Sequence, residues 1–198
     1  MKNHLPYLQK DFDFTTLWKK LKKGDRNAFN EIIRFFYNLL FSYGLKISGN
    51  AQVTEDCIQD LFVYIWENRN KLSDVTDGKS YLLKSLRRRI LEGLNKWENK
   101  KKEFELNSDN SLFNIVFSHE DLLIENQKNQ EKTHKLTLAL NKLPARQKEA
   151  LYLKFYGEAS YEEIGEIMGI NNQSVGNLLQ RALKLLRQYL QVIFCLFV

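Results

Sequence analysis

Apolar side chains return every three or four residues along almost the whole chain, the repeat of an amphipathic helix and not the alternation of a strand. Phe14, Leu17, Trp18 and Leu21 share one face of a first predicted helix, with Asp13 as its N-cap and Gly24 as its stop. Asp25 caps a second, whose apolar face is Phe29, Ile32, Ile33, Phe36, Tyr37 and Leu40 and which Gly44 is expected to close. After a polar turn at Ser48–Gln52, Thr54 is the expected cap of a third helix. Glu55 and Asp56 then fall in its first turn, where the helix dipole favours acids, and Ile58, Leu61, Phe62, Ile65 and Trp66 form its core face. A loop over Lys71–Gly78 leads to a long fourth helix, from about Lys79 to Lys101.

Four helices carrying so many large apolar residues can enclose one core, so residues 13–102 form a first domain. The composition then changes. From Glu103 to Glu131 there are seven acidic residues and a single lysine, which reads as a linker over 103–131. Its apolar pieces, Leu112–Phe117 and Leu122–Ile124, fit a segment that lies along a partner's surface. Helical spacing returns from Lys132. Leu136–Leu143 is followed by Pro144 as a first-turn proline, opening a helix that Gly157 stops. The second domain spans 132–190, and an apolar tail covers 191–198. The expected fold is all-α: two small helical domains joined by an acidic linker.

The segment Tyr161–Arg181 has the pattern of a helix-turn-helix. Ser160 and Glu163 form a capping box, Gly165 is small where two helices must cross closely, and Gly169 supplies the turn. Ile164, Met168, Ile170, Val175 and Leu178 are expected in the core. Asn172, Gln173, Ser174, Asn177, Gln180 and Arg181 are left on the outer face of the second helix. Asn and Gln can bond adenine through two atoms, and Arg can bond guanine or phosphate. The N-terminal part of such a helix is the part that enters the major groove. An ordinary helical hairpin with a wet face would not need the glycines, the capping box and the polar stripe together.

Charge strengthens this picture. The chain has 30 Lys+Arg against 24 Asp+Glu, a net charge of +6 that favours a polyanionic partner without requiring one. Between Lys79 and Lys102 nine basic residues (Lys79, Lys84, Arg87, Arg88, Arg89, Lys96, Lys100, Lys101, Lys102) face two acids, Glu92 and Glu98. Three consecutive arginines cannot all point into a core. Beside Tyr81 and Trp97 they suit a phosphate backbone with unstacked bases. On the third helix Asp56, Gln59, Asp60, Val63 and Glu67 recur at helical spacing opposite the core face.

Other chemistry is thinly represented. Cys57 and Cys195 lie far apart among apolar residues and read as reduced core thiols, and His4, His119 and His134 form no cluster. No cofactor, metal or small-molecule substrate is expected, because no glycine-rich phosphate loop or nucleophile–base arrangement appears. The N-terminus has no signal-peptide pattern, and the tail Val192–Val198 is far shorter than the roughly 20 residues that span a bilayer. The expected location is the cytoplasm.

The run Thr54–Trp66 (TEDCIQDLFVYIW) resembles the EDxxQDxFxxxW signature of extracytoplasmic-function (ECF) sigma factors, the smallest sigma subunits of RNA polymerase in the sigma-70 superfamily. Gly24, Asp25, Ala28, Phe29 and Tyr37 fit that family's opening helix pair. Leu143–Gln147 (LPARQ), Tyr161–Gly165 and Arg181–Arg187 fit its C-terminal domain. The resemblance covers about Asp13–Leu190. It implies a sigma region 2 domain over 13–102 and a sigma region 4 helix-turn-helix domain over 132–190. It implies that Asp56, Gln59, Asp60 and Val63 dock on the core RNA polymerase. It implies that the Lys71–Lys79 loop, with Lys79, Lys84, Arg87, Arg88 and Lys96, binds and opens the −10 element, flipping one base into a protein pocket. Arg146, Asn172, Gln173, Ser174, Asn177 and Arg181 would bind the −35 element as duplex. The linker's charge would mimic RNA in the polymerase, and an anti-sigma factor, often membrane-anchored, would hold the protein inactive.

Three positions depart from the family's habit. Arg88 stands where many relatives carry Asn, Gly93 where many carry an aromatic, and Gly176 where a basic residue is common. The tail Tyr189–Val198 exceeds what the last helix needs. It is expected to pack back on the second domain, with inhibitor binding as a further role. A helix-turn-helix regulator that binds operator DNA without polymerase is the main rival reading, and it leaves Thr54–Trp66 and the arginine-rich helix unexplained. An adaptor or anti-sigma protein is another, and an enzyme lacks any catalytic constellation.

Overall fold

A computed structural model describes residues 12–102 and 130–195, with side chains except at 95–102, 130–133 and 190–195. The linker 103–129, the last three residues of the tail and the side chains of Lys96, Trp97 and Cys195 lie outside the described residues. Among those described, the elements are helices only: α1 (Phe14–Lys22), α2 (Arg26–Ser48), α3 (Ala51–Glu67), a 3₁₀ turn (Arg69–Lys71), α4 (Gly78–Lys102), α5 (Gln130–Asn141), α6 (Ala145–Phe155), α7 (Tyr161–Met168) and α8 (Asn172–Cys195). They form two compact units, α1–α4 and α5–α8. None of these helices is long and apolar enough to cross a membrane.

In the first unit α2 packs against α1, α3 and α4. Asp13 caps α1, accepting from the Thr16 N–H at 3.0 Å. Asp25 caps α2, accepting from the Asn27 N–H at 2.8 Å and the Ala28 N–H at 3.2 Å. The core holds Trp18, Leu21, Ile32, Leu40, Tyr43, Ile47, Ile58, Leu61, Ile65, Leu82, Leu83 and Leu86, all fully buried. Each such aliphatic side chain contributes about 1.5–3 kcal/mol through apolar burial.

Two expectations about α2 and α3 need correction. Gly44 does not end α2, which continues to Ser48 and stops at Gly49 in the left-handed region (φ 66°). Gly44 is instead a buried point of close approach. A Cβ built there would lie 2.6 Å from Thr54 Cγ2 and 3.3 Å from Leu86 Cδ2 and Ile90 Cδ1. Thr54 is not the cap of α3. Asn50 is, accepting from the Val53 N–H at 3.1 Å. Thr54 is buried one turn inside, its hydroxyl 2.8 Å from the Asn50 carbonyl and 2.7 Å from the Ser48 hydroxyl. The first turn of α3 therefore carries no acid, and Asp56 sits clear of the dipole's positive end.

In the second unit α8 packs on α5, α6 and α7. Pro144 stands one place ahead of the α6 helix, as its N-cap residue, and not inside the first turn. The capping box forms in full: Ser160 Oγ accepts from the Glu163 N–H at 3.1 Å, and Glu163 Oε2 accepts from the Ser160 N–H at 2.5 Å. Gly169 closes α7 at φ 66°, ψ 42°, a conformation that glycine adopts without a Cβ penalty. Cys57 is a free, half-buried thiol and not a core residue.

Gly44→Ala is expected to destabilise the first unit by about 1–3 kcal/mol through overpacking. Adding Thr54→Ser, which removes Cγ2 and keeps the hydroxyl, should recover most of that loss. All three tryptophans, Trp18, Trp66 and Trp97, lie in the first unit's helices or loop edges, so urea unfolding read by their fluorescence measures both variants.

Candidate functional site

Two faces of the first unit stand out. On α3, Asp56, Gln59 and Asp60 are exposed and Val63 is 54% exposed. Their spacing of three, four and seven puts all four on one side of the helix. Gln52 Nε2 donates to Asp56 Oδ1 at 2.9 Å, one turn earlier on the same side. Tyr64, 47% exposed, and Glu67 extend the face. An exposed aliphatic beside two carboxylates and an amide is a mixed surface, suited to a protein partner with both basic and apolar groups.

On α4 the basic residues divide. Lys84 and Arg88, one turn apart, are exposed, whereas Lys79 and Arg87 are half-buried, so the structure does not gather all of them on one face. Arg88 donates from Nε to Glu92 Oε1 at 2.7 Å, a bond that raises its pKa further. Arg89 turns toward α3 and stacks over Tyr64, its guanidinium carbon 5.0 Å from the ring centroid. Between these groups lies a cleft of about 350 Å³, lined by Leu61, Tyr64, Tyr81, Ser85, Arg88, Arg89 and Glu92. Burial, and then the neighbouring Tyr64 phenol, pushes Tyr81 above its ordinary pKa, so it stays a protonated donor. The cleft joins aromatic faces to guanidinium groups, the chemistry that unstacked bases and phosphates use.

Tyr64 was missed by sequence reasoning. The only signal was an aromatic one place beyond Val63, and its importance depends on α4 crossing beside it. Cys57 lies on the same helix. Burial, with Asp60 adding to it, pushes the thiol up, so it is neither a ready nucleophile nor a ligand. No group of three potential metal ligands gathers among the described residues.

In the second unit α7 and α8 build the helix-turn-helix. A Cβ at Gly165 would fall 2.8 Å from the Ile170 carbonyl oxygen and 3.1 Å from Asn172 Oδ1, so the turn closes directly over this glycine. The Ile170 N–H donates to the Gly165 carbonyl at 2.9 Å. Ile164, Met168 and Val175 are buried as expected, but Leu179 fills the core where Leu178 was expected, and Leu178 and Ile170 are only half-buried. Asn171 caps α8, accepting from the Ser174 N–H at 2.8 Å. Asn172, Gln173, Asn177, Gln180 and Arg181 are exposed and Ser174 is half-buried. Gln173, Asn177, Gln180 and Arg181 fall on one stripe by their spacing, which exposed Lys184 continues. Asn172 turns back toward α7, donating to Glu162 Oε1 at 3.3 Å. Arg146 is exposed at the start of α6, on a different helix from the others.

Comparisons with known proteins agree on one family. The family model for sigma-70 region 2 matches residues 32–99, and that for sigma-70, region 4 matches residues 133–186. The chain is similar to the ECF RNA polymerase sigma factor SigW of Bacillus subtilis (strain 168), 22% identical over 179 residues, covering 87% of this chain and 94% of that protein. It is also similar to the RNA polymerase sigma factor SigV of the same organism, 29% identical over 152 residues, covering 77% and 82%. Two solved structures share the fold. CnrH in complex with the cytosolic domain of CnrY has a TM-score of 0.62 at 14% identity, covering 91% of this chain and 99% of that one. The sigma factor RpoE in complex with the anti-sigma factor NepR from Bartonella quintana has a TM-score of 0.57 at 20% identity, covering 83% and 97%.

Two of the three glycines of the helix-turn-helix, Gly165 and Gly176, should respond in opposite directions. Gly165→Ala forces a Cβ against backbone and should cost about 1–3 kcal/mol. Gly176 has only Tyr161 Cε2 near a built Cβ, at an ordinary 3.8 Å, so Gly176→Ala should stabilise α8 by up to about 1 kcal/mol. Hydrogen exchange of α7 and α8 measures both.

Proposed function

The chain belongs to the sigma-70 family, in its extracytoplasmic-function branch, and we propose that it serves as the promoter-specificity subunit of RNA polymerase through the surfaces described above. Members of this family are initiation factors and not enzymes, so the chemistry of transcription is the polymerase's. This subunit supplies sequence recognition and holds the opened strand. The observation that carries the residue assignment is the pairing, on one small helical unit, of the α3 face (Asp56, Gln59, Asp60, Val63) with the basic α4 face and its aromatic cleft.

In this reading residues 13–102 are the region 2 domain, 103–131 the linker, 132–190 the region 4 domain and 191–198 the tail. The α3 face docks on core polymerase. Lys79, Lys84, Arg87, Arg88 and Lys96 of α4 contact the −10 element, with the phosphate contacts setting affinity and the cleft receiving an unpaired base. The α8 face, Asn172, Gln173, Ser174, Asn177 and Arg181, enters the major groove of the −35 element, with Arg146 on the backbone. The N-terminus of α8 adds its positive dipole end toward phosphate. Because CnrH and RpoE were solved with the CnrY cytosolic domain and an anti-sigma factor, an anti-sigma partner for this chain is part of the proposal. So is a cytoplasmic location, where polymerase and DNA are.

The test is capture of purified bacterial core RNA polymerase by the wild-type chain beside an Asp56→Ala/Gln59→Ala/Asp60→Ala variant. Wild type should bind tightly. The triple variant should lose about 3 kcal/mol or more, roughly a hundredfold in affinity, while remaining folded because all three side chains are exposed. Failure of the wild type to bind polymerase, together with dimeric binding to duplex DNA alone, would favour the operator-binding regulator instead.

A further inference from the structure

The loop between the 3₁₀ turn and α4 is held from behind by α1, a helix more than fifty residues earlier in the chain. The Trp18 indole, only 1% exposed, donates from Nε1 to the Ser73 carbonyl at 3.1 Å. One turn on, Lys22 Nζ meets Asp74 Oδ1 at 2.6 Å, and this bond holds the Asp74 carboxyl below the usual carboxylate range. At the loop's far end Gly78 is buried under Phe14, whose ring occupies the space any side chain at 78 would need. Trp18 also meets Tyr81 of the cleft edge-on, with ring centroids 5.3 Å apart and planes at 70°. Asp77 completes the frame, accepting from the Ser80 N–H at 3.1 Å to start α4.

Each contact addresses a different part of the loop: a backbone carbonyl, an exposed side chain and the glycine where it enters α4. A loop that must receive an unpaired strand binds more weakly if it must first be ordered, because the ordering entropy is subtracted from the contact energy. Contacts that order it in advance remove that cost. Trp18 is buried and Lys22 is spent on Asp74, so neither needs to touch DNA to matter.

We propose that α1 is the positioning element of the strand-reading loop, with Trp18 and Lys22 fixing residues 72–77 in the shape that receives the unpaired −10 strand. This rests on the reading of the loop and α4 as the −10 contact. Phe14 and Gly78 set where the loop hands over to α4. Trp18 and Lys22 are positioning residues and act through Ser73 and Asp74.

The experiment uses holoenzyme assembled from core polymerase and the full-length chain. Its probe is the unpaired −10 strand of a promoter mapped with the wild type, followed by fluorescence anisotropy. Trp18→Phe, which keeps an aromatic ring and removes the N–H, should weaken strand binding about threefold to tenfold, the net value of one hydrogen bond. Lys22→Ala should act in the same direction, with affinity for core polymerase unchanged in both. Lys22→Glu should be rescued by adding Asp74→Lys, while Asp74→Lys alone should weaken binding, whereas a cation acting directly on phosphate would strengthen it. Wild-type strand binding by both Trp18→Phe and Lys22→Ala would overturn the proposal, and so would failure of the charge swap to restore binding. A Lys84→Ala/Arg88→Ala variant separates the two levels. If it loses the strand while the α1 variants keep it, the −10 assignment stands and the α1 role falls. If wild-type holoenzyme does not hold the strand, both fall together.

Discussion

Three helices meet within van der Waals distance at Gly44. α2 passes so close to α3 there that the methyl of Thr54 occupies the place of a side chain, while Leu86 and Ile90 of α4 close the remaining side. Thr54 can be buried at this point because its hydroxyl is satisfied within α3 and by Ser48. A larger residue at 44 would push α3 and α4 outward, and each carries one of the two candidate faces. The angle between the Asp56–Val63 face of α3 and the Lys84–Arg88 face of α4 is therefore constrained by a missing Cβ in a helix that carries neither.

Much of the architecture could be read from the residues because local chemistry decides it. Asp13, Asp25 and the Ser160–Glu163 box cap helices through bonds spanning two or three residues, and Gly169 adopts its left-handed turn regardless of distant packing. Gly44 and Thr54 were misread for the complementary reason. A glycine one turn ahead of a polar segment has the same local signature whether it stops a helix or lets another approach, and only the packing of α3 and α4 distinguishes the two. Leu178 and Leu179 differ by 100° around α8, and two adjacent leucines give the periodicity no means of choosing.

The candidate faces divide in the same way. Those confined to one helix, Asp56–Val63 on α3 and Gln173–Arg181 on α8, follow from spacing alone. The cleft does not, because Tyr64 comes from α3 and Tyr81, Ser85, Arg88 and Arg89 come from α4. Its chemistry appears only when the two helices are side by side. The basic run of α4 shows the converse. Consecutive arginines look like one patch in the sequence, yet a helix sends Arg88 outward to Glu92 and Arg89 sideways onto Tyr64.

With Asn50 as its cap, α3 starts a full turn ahead of Thr54. Asp56 and Asp60 stand in mid-helix, where the backbone's own positive end does not offset them, while Lys84 and Arg88 project from the neighbouring α4. A single small unit thus carries an acidic patch on α3 and a basic patch on α4, within a chain whose net charge is +6. Charged patches of opposite sign feel an external field before contact. A basic protein surface would draw the α3 face and a polyanion the α4 face, and both attractions weaken as salt shortens their reach.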